Sequence, residues 1–181
     1  MARVPLITSK DQIAPEHHKT ADAITGSRGS LSGPFQVFLH SPEIAGRIAH
    51  LGTLVRFEGT LDFRVRVLAA MVVAREFEAL YVWGAQTGGA RRLHVPEATI
   101  DAIRDNRVDG VPPEDAMIIE YTRTLLRKHR IPAAMDKAMR DRFGNDQMIQ
   151  LTGAIGYYSL LSMTVNAHEM EPAPGMEVLQ V

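Results

Sequence analysis

The sequence contains no cysteine, and this absence excludes several kinds of chemistry. Without a thiol, the chain forms no disulfide bond and holds no metal through cysteine. It also lacks the thiolate that attacks a peroxide in thiol-dependent peroxidases. A cysteine-dependent peroxidase activity is therefore ruled out by composition alone.

An excess of charge of one sign and long apolar runs are also missing. The 181 residues include 20 lysines and arginines and 21 aspartates and glutamates, which gives a formal net charge of -1. A chain so close to neutral has no global field that attracts nucleic acid or an anionic membrane. Its most apolar stretch, 151–165, is shorter than the roughly 20 residues that a membrane span needs. With no apolar signal segment in residues 1–11, we expect a cytoplasmic protein with no nucleic-acid or membrane partner.

Short motifs of several enzyme classes are absent as well. The chain has no Gly-x-Ser-x-Gly elbow, no His-Glu-x-x-His zinc motif and no phosphate loop ending in Gly-Lys-Ser/Thr. His17 and His18 are adjacent, so on a helix their side chains point apart and do not form a metal site. We therefore expect no metal and no bound cofactor.

The sequence does contain a series of helix signals. Prolines stand near helix starts, Gly-Pro segments separate the helices, and apolar residues recur three or four positions apart. The predicted helices are 15–24, 41–57, 60–78, 81–93, a short one from 96, 113–128, 132–142 and 148–165. We predict an all-α fold with a single domain over 1–181. Residues 1–34 form its N-terminal arm and loop, and 172–181 form a loosely held tail.

Several segments, in their order along the chain, resemble one family. They are Gly33-Pro34-Phe35, 39–43, 54–58, 61–75, 81–88, Gly156-Tyr157-Tyr158 and Val165-Asn166-Ala167. Together they resemble the carboxymuconolactone decarboxylase and alkylhydroperoxidase D-like family from about residue 15 to residue 175. The resemblance implies an all-α helical bundle that assembles as a homo-oligomer, a trimer or hexamer, with pockets near the subunit contacts.

The chain departs from this family at the positions that carry its chemistry. The peroxidase branch has Cys-x-x-Cys and a following histidine where this chain has Trp83, Gln86 and Ala90. The decarboxylase-like branch has two glutamates and a histidine where this chain has Val67, Val82 and Gln86. Glutamine donates a hydrogen bond but does not titrate, so the usual acid of the family is missing.

Two residues are candidates for catalytic roles. Gln86 lies on the helix that resembles the active-site helix, where its amide can donate to a substrate. His40 belongs to the family-like Leu-His-Ser-Pro segment, and an imidazole there can act as a proton donor. The alternative for His40 is structural, because a histidine just before a helix start often makes a hydrogen bond to the backbone.

The candidates for substrate binding are two arginines, one aromatic residue and three further pocket residues. Arg64 and Arg75 share a helix face, since eleven residues make about three turns, and guanidinium groups suit carboxylates. Their alternative role is pairing with nearby glutamates. Trp83, the sole tryptophan, forms either a pocket wall or part of the core. The resemblance adds Val67, Val82 and Tyr157.

Two functions remain open at this point. The first is a cofactor-free lyase or isomerase that acts on a small, partly apolar carboxylic acid or lactone. The second is a catalytically silent relative that binds a small ligand or a protein partner. Since valines replace the family's carboxylates, we expect a less polar pocket than in its relatives. Whether a titratable side chain reaches the cavity beside Trp83 and Gln86 distinguishes the two functions.

Overall fold

The computed structural model describes residues 2–180, and within that range it contains helices and no strand. The all-α prediction is therefore confirmed. The helices are α1 (His18–Arg28), α2 (Phe35–Phe38), α3 (Pro42–Thr53), α4 (Phe63–Glu76), α5 (Leu80–Arg92), α6 (Glu97–Arg104), α7 (Pro113–Lys128) and α8 (Ala133–Ala167). Two short 3₁₀ helices, Lys10–Gln12 and Pro15–His17, precede α1, and a π-helical segment, Leu54–Glu58, continues α3.

The helix starts follow from proline and acidic residues. Ser41 lies at the N-cap of α3, but its side chain makes no capping hydrogen bond. Pro42 suffices there, because the first helical residue needs no N–H partner. In α4 the cap is made by Asp62, whose carboxylate accepts from the backbone N–H groups of Arg64 and Val65.

The last predicted pair of helices is joined into one long element with a break at Gly144. Its φ of 75° and ψ of 169° interrupt the helical backbone between 133–143 and 145–167. Glycine adopts this conformation without the steric penalty of a side chain. The sequence therefore predicted the two helical segments, and the structure places the turn between them at one residue.

Helix α4 is the centre of the fold. It packs against α5, α7 and α8, and residues 67–74 are buried on every side of the helix. A helix that is apolar all round lies inside a protein. The α1 helix packs on α3 and forms a second layer. Apolar residues from Ile7 to Leu179 join one hydrophobic core.

Residues 172–180, the C-terminal segment, are packed rather than loose, which corrects the expectation for this part of the tail; Val181 lies outside the described residues. Leu179 is 2% exposed and belongs to the core, and the Glu177 carboxylate pairs with Arg91 and Arg104. One apolar anchor and two ion pairs hold the segment against α5 and α6. Between residues 2 and 180, no helix is both long and apolar enough to cross a bilayer.

Candidate functional site

A cavity of about 540 Å³ lies between α1, α4, α5, α8 and the C-terminal segment. Its size is within the range of small-molecule sites, which is roughly 300–1,000 Å³. Part of the wall is apolar and comes from Phe35, Val67, Val82 and Leu161. The rest of the wall is polar and contains the charged side chains.

Positive charge dominates the polar wall. Five arginines line the cavity, namely Arg28, Arg56, Arg66, Arg91 and Arg92. Among the described residues, Glu177 is the only carboxylate in the wall, and it is already bound to Arg91 and Arg104. No carboxylate between residues 2 and 180 pairs with the other four arginines of the wall. The cavity is therefore an attractive environment for an anion.

Arg66 extends from the second turn of α4 into this cavity. Its Nη1 donates a hydrogen bond of 2.7 Å to the Tyr158 hydroxyl oxygen on α8. Its Nε is buried and has no partner among the described residues. A buried donor without a partner has lost its hydrogen bonds to water and has gained none within the protein. An acceptor supplied by a ligand would therefore stabilise it.

Arg28 reaches the cavity from the last turn of α1. Its Nη2 donates to the backbone oxygen of Ala49 at 3.0 Å, and its guanidinium lies 4.4 Å from the centre of the Phe35 ring. The Nε of Arg28 is buried and lacks a partner within the described part of the chain. Two arginines from different helices thus line one cavity, and each has a buried Nε without a partner among the described residues.

The Tyr157 hydroxyl is the third unsatisfied group of the wall. Tyr157 is 3% exposed, and its oxygen has no hydrogen-bond partner of acceptable geometry among residues 2–180. Burial raises the pKa of Tyr157, although the charge of Arg28 and the contact of its guanidinium with the hydroxyl oppose the rise. The hydroxyl is therefore protonated at neutral pH. It packs so closely on Gly52 of α3 that a Cβ at that position would overlap it.

The structure brings four of the predicted residues together at this cavity. Val67 on α4, Val82 and Gln86 on α5, and Tyr157 on α8 all line it. Trp83 is fully buried behind the wall, where its Nε1 lies 3.4 Å from a Glu177 oxygen. It is therefore part of the core and contacts a residue of the wall.

Three predicted residues lie elsewhere. Arg64 donates two hydrogen bonds to Asp115, at 3.1 and 2.6 Å, and Arg75 donates one of 2.7 Å to the backbone oxygen of Arg104. The Nε2 of His40 lies 2.7 Å from the backbone oxygen of Pro5, in a separate hollow beside the N-terminal arm. Each side chain already has a partner within the fold. His40 has the backbone contact of its structural alternative, Arg75 also lies 3.8 Å from Glu78, and Arg64 pairs with an aspartate rather than with a glutamate.

The cavity also contains residues that the sequence interpretation did not select. They include Arg28, Arg66, Tyr158 and Glu177. Arg66 directly precedes Val67 in the family-like motif, so its position there could have identified it as a cavity residue. Tyr158 follows Tyr157 in another family-like segment, which was a similar signal. Nothing local identifies Arg28 and Glu177, since they reach the cavity from separate segments.

The chemistry open to this wall is limited. No histidine lines the cavity within the described range, and its ionisable groups are arginines, tyrosines and Glu177. No cluster of three or more histidine, aspartate or glutamate side chains in residues 2–180 is arranged to hold a metal ion. The arrangement can bind an anion and donate protons from tyrosine hydroxyl groups.

Comparisons with known proteins identify the fold. No protein-family model and no curated protein sequence matches the chain. Among solved structures, it is similar to an uncharacterised peroxidase-related protein from Silicibacter sp. TM1040, with a TM-score of 0.76, 14% identity, and coverage of 97% of this chain and 95% of that one. It is also similar to an alkylhydroperoxidase AhpD core, an uncharacterised peroxidase-related protein from Ralstonia eutropha JMP134, with a TM-score of 0.78, 15% identity, and coverage of 96% and 93%. The chain therefore has the alkylhydroperoxidase D-like fold that its sequence motifs predicted.

Proposed function

We propose that the chain binds a small, partly apolar carboxylate in the arginine-lined cavity and acts on it as a cofactor-free lyase or isomerase. One observation carries the proposal. The Nε atoms of Arg66 and Arg28 and the hydroxyl of Tyr157 are buried in or beside this cavity without partners in the described residues. A carboxylate accepts hydrogen bonds from such donors, and guanidinium groups match its shape and charge.

The apolar part of the ligand follows from the remaining wall. Val67, Val82 and Leu161 present aliphatic surface, and Phe35 presents an aromatic ring. Burial of apolar ligand surface against these side chains adds affinity at about 25 cal/mol per Å². The valines thus support the expected less polar substrate, while the arginines require that it carry an acid group.

A tyrosine is the proton donor in this proposal. The Tyr158 oxygen accepts from Arg66, so its own hydrogen is free to point at a ligand. Tyr157 also keeps its proton at neutral pH, because burial raises its pKa. In a decarboxylation, the bond from carbon to the carboxylate breaks, carbon dioxide leaves and the carbon takes the hydroxyl proton. The tyrosinate is stabilised by Arg66 and regains a proton from water.

The roles of the originally predicted catalytic residues change accordingly. His40 is engaged with Pro5 in a different hollow, so the proposal gives its role as proton donor to the tyrosines. Gln86 keeps a role at the cavity, where its amide can donate a hydrogen bond to a carbonyl or carboxylate oxygen.

Ligand binding is tested with hexanoate and benzoate by calorimetry, with Trp83 fluorescence as a local signal. Arg66→Gln removes one positive charge from the wall, and we expect at least about tenfold weaker binding, as is typical when one partner of a charge-assisted contact is lost. Arg130→Gln is the matched control, because Arg130 is exposed and does not line the cavity. If neither acid binds the wild-type protein, the proposal is wrong.

Catalysis is tested by a screen of small carboxylic acids and lactones for release of carbon dioxide or for isomerisation. Tyr158→Phe and Tyr157→Phe identify the donor, and loss of a general acid typically lowers the rate about 10²- to 10⁴-fold. The catalytically silent alternative is favoured by the absence of any histidine, and of any unpaired carboxylate, from the described cavity wall. Binding without turnover of any compound would support that alternative.

Assembly as a homotrimer or homohexamer also remains a proposal. Exposed apolar side chains on α3 and α8, among them Leu51 at 47%, Ile149 at 68% and Met163 at 53% exposure, support a contact between copies. Light scattering of the purified protein tests it, and a monomer at all concentrations would contradict it. A cytoplasmic location is likewise a proposal, which fractionation of cells that produce the chain would test.

A further inference from the structure

The C-terminal segment contributes a carboxylate to a cavity that otherwise presents cations. One Glu177 oxygen lies 2.7 Å from Arg91 and the other lies 2.7 Å from Arg104. Glu177 is therefore shared by two guanidinium groups.

The position of Glu177 is set by the backbone. Gly84 on α5 is buried, and a Cβ there would lie 2.7 Å from the Glu177 backbone oxygen and 2.8 Å from the Met176 Cβ. A glycine is thus required for the segment to lie this close to α5. Two residues later, Leu179 inserts into the core at 2% exposure. The segment is held on both sides of Glu177.

Each of the two arginines that bind Glu177 also binds a second carboxylate. Arg91 also donates to Glu97 at 2.8 and 3.0 Å, and Arg104 also pairs with Asp101. Although burial alone raises the pKa of Glu177, hydrogen bonds from Arg91 and Arg104 hold that pKa below its ordinary value. The carboxylate is therefore ionised at neutral pH.

The unsatisfied cations lie on the other helices of the wall. Arg28, Arg56 and Arg66 come from α1, the Leu54–Glu58 segment and α4, and none of the three pairs with a carboxylate in the described chain. Arg92 also lines the cavity, but it is exposed, so water and salt screen its charge. A ligand with one carboxylate finds an unsatisfied partner at Arg28 and Arg66. A second carboxylate on the same ligand meets Glu177.

We propose that Glu177 determines the charge of the ligand: it occupies Arg91 and Arg104 as a built-in carboxylate, so the cavity accepts a monocarboxylate and discriminates against a dicarboxylate. The inference rests on the proposed function and narrows its substrate class. Discrimination arises from like-charge repulsion and from the engagement of Arg91 and Arg104 by carboxylates of the chain itself, and repulsive contacts of this kind are a common means of excluding the wrong ligand.

The first test uses the unmodified protein and three ligands with the same six-carbon chain. Hexanoate has one carboxylate, adipate has a second at the far end, and 6-aminohexanoate has an ammonium group there. We expect adipate to bind at least about tenfold more weakly than hexanoate, since a like charge brought close to the half-buried Glu177 carboxylate is unfavourable. We expect 6-aminohexanoate to bind at least as tightly as hexanoate, because its ammonium group can pair with Glu177.

The second test removes the charge of Glu177. In Glu177→Gln the side chain keeps its size, and we expect adipate to gain about tenfold in affinity while hexanoate changes by less than about threefold. Glu97→Gln is the matched control, because Glu97 pairs with the same Arg91 but does not line the cavity. The control should leave the ratio of the two affinities unchanged within about threefold. Adding Arg91→Gln to Glu177→Gln should reduce the gain for adipate.

The outcomes separate the inference from the proposed function. If adipate binds the wild-type protein as tightly as hexanoate, the inference is wrong and the carboxylate site stands. The same conclusion follows if a folded Glu177→Gln variant, checked by circular dichroism, leaves the ratio unchanged. If none of the three acids binds, the carboxylate site itself is wrong, and the inference fails with it.

Discussion

Two arginines on the same helix, Arg64 and Arg66, have opposite surroundings. Arg64 donates two hydrogen bonds to Asp115, whose side chain is 4% exposed and also lies 3.4 Å from the Thr99 hydroxyl. Arg66, two positions further along, donates to the Tyr158 hydroxyl and keeps an unpaired buried Nε in the described structure. The first arginine is fully compensated within the fold and the second is not.

The difference separates a structural charge from one available to a ligand. Asp115 lies in the first turn of α7, where the helix dipole favours a carboxylate, so the pair links α4 to α7. At Arg66 the fold supplies no carboxylate, and the space in front of the side chain is a cavity. The type of residue is therefore a poor guide to function here, and the state of its partners is a better one.

The largest expected effect is on the compensated pair. Arg64→Leu leaves the Asp115 carboxylate buried without its cation, and we expect a loss of about 3 kcal/mol in the free energy of unfolding. Arg66→Leu should cost less than about 1 kcal/mol, because it removes one hydrogen bond and no ion pair. Urea unfolding of both variants measures the contrast. Equal losses would show that the two arginines do not differ in the way their contacts indicate.

The same contrast shows what the sequence could and could not predict. A helix turns about 100° per residue, so a step of two residues moves a side chain by about 200°, to nearly the opposite face. The sequence predicts Arg64 as a substrate-binding residue. In the structure, Arg64 pairs with Asp115, and Arg66 lines the cavity instead. Helical periodicity gave the elements, including α7 at 113–128 as predicted. It did not give the rotation of α4 relative to the cavity.

The cavity residues from distant segments could not be predicted from the sequence for a different reason. Val67, Val82 and Gln86 were found because they lie on two helices that carry a local motif. Arg28 and Glu177 come to the cavity from α1 and from the C-terminal segment, and only packing places them there. Proline and glycine in 172–175 suggested a loose tail, whereas Leu179 and the ion pairs of Glu177 hold it.

A second stability experiment tests whether the C-terminal segment packs closely on α5. In Gly84→Ala the new Cβ meets the Glu177 backbone oxygen, so we expect a loss of about 1–3 kcal/mol, as for other overpacked sites. Gly88→Ala on the same helix is the matched control, since its nearest neighbour is the flexible end of Arg92 at 3.6 Å. It should stabilise the protein by about 0.5–1 kcal/mol, because alanine favours a helix. Thermal unfolding distinguishes the two, and similar stabilisation of both would contradict the close contact.

A smaller effect is expected from removal of an uncompensated group. Tyr157→Phe deletes a buried hydroxyl that has no partner in residues 2–180, so stability should be unchanged or rise by up to about 1 kcal/mol. Binding of a carboxylate should weaken at the same time, because one donor is lost. A variant that loses stability and keeps its affinity would place the hydroxyl among the structural groups, together with Arg64.

The smallest expected effect is a change of stability at alkaline pH. Burial raises the pKa of Tyr157 above the ordinary tyrosine value of 10.0, so the native state holds this proton more tightly than the unfolded chain does. Its contribution to stability is therefore complete below about pH 10 and is lost as the pH rises through the higher native pKa. Burial raises the pKa of Tyr81 in the same direction. The midpoint of urea unfolding should fall between about pH 9 and about pH 11 in the wild-type protein and fall less in Tyr157→Phe. An equal decrease in both proteins would mean that the Tyr157 hydroxyl is hydrated in the native state. The hydroxyl would then no longer be one of the unsatisfied groups that distinguish the cavity from the Arg64–Asp115 pair.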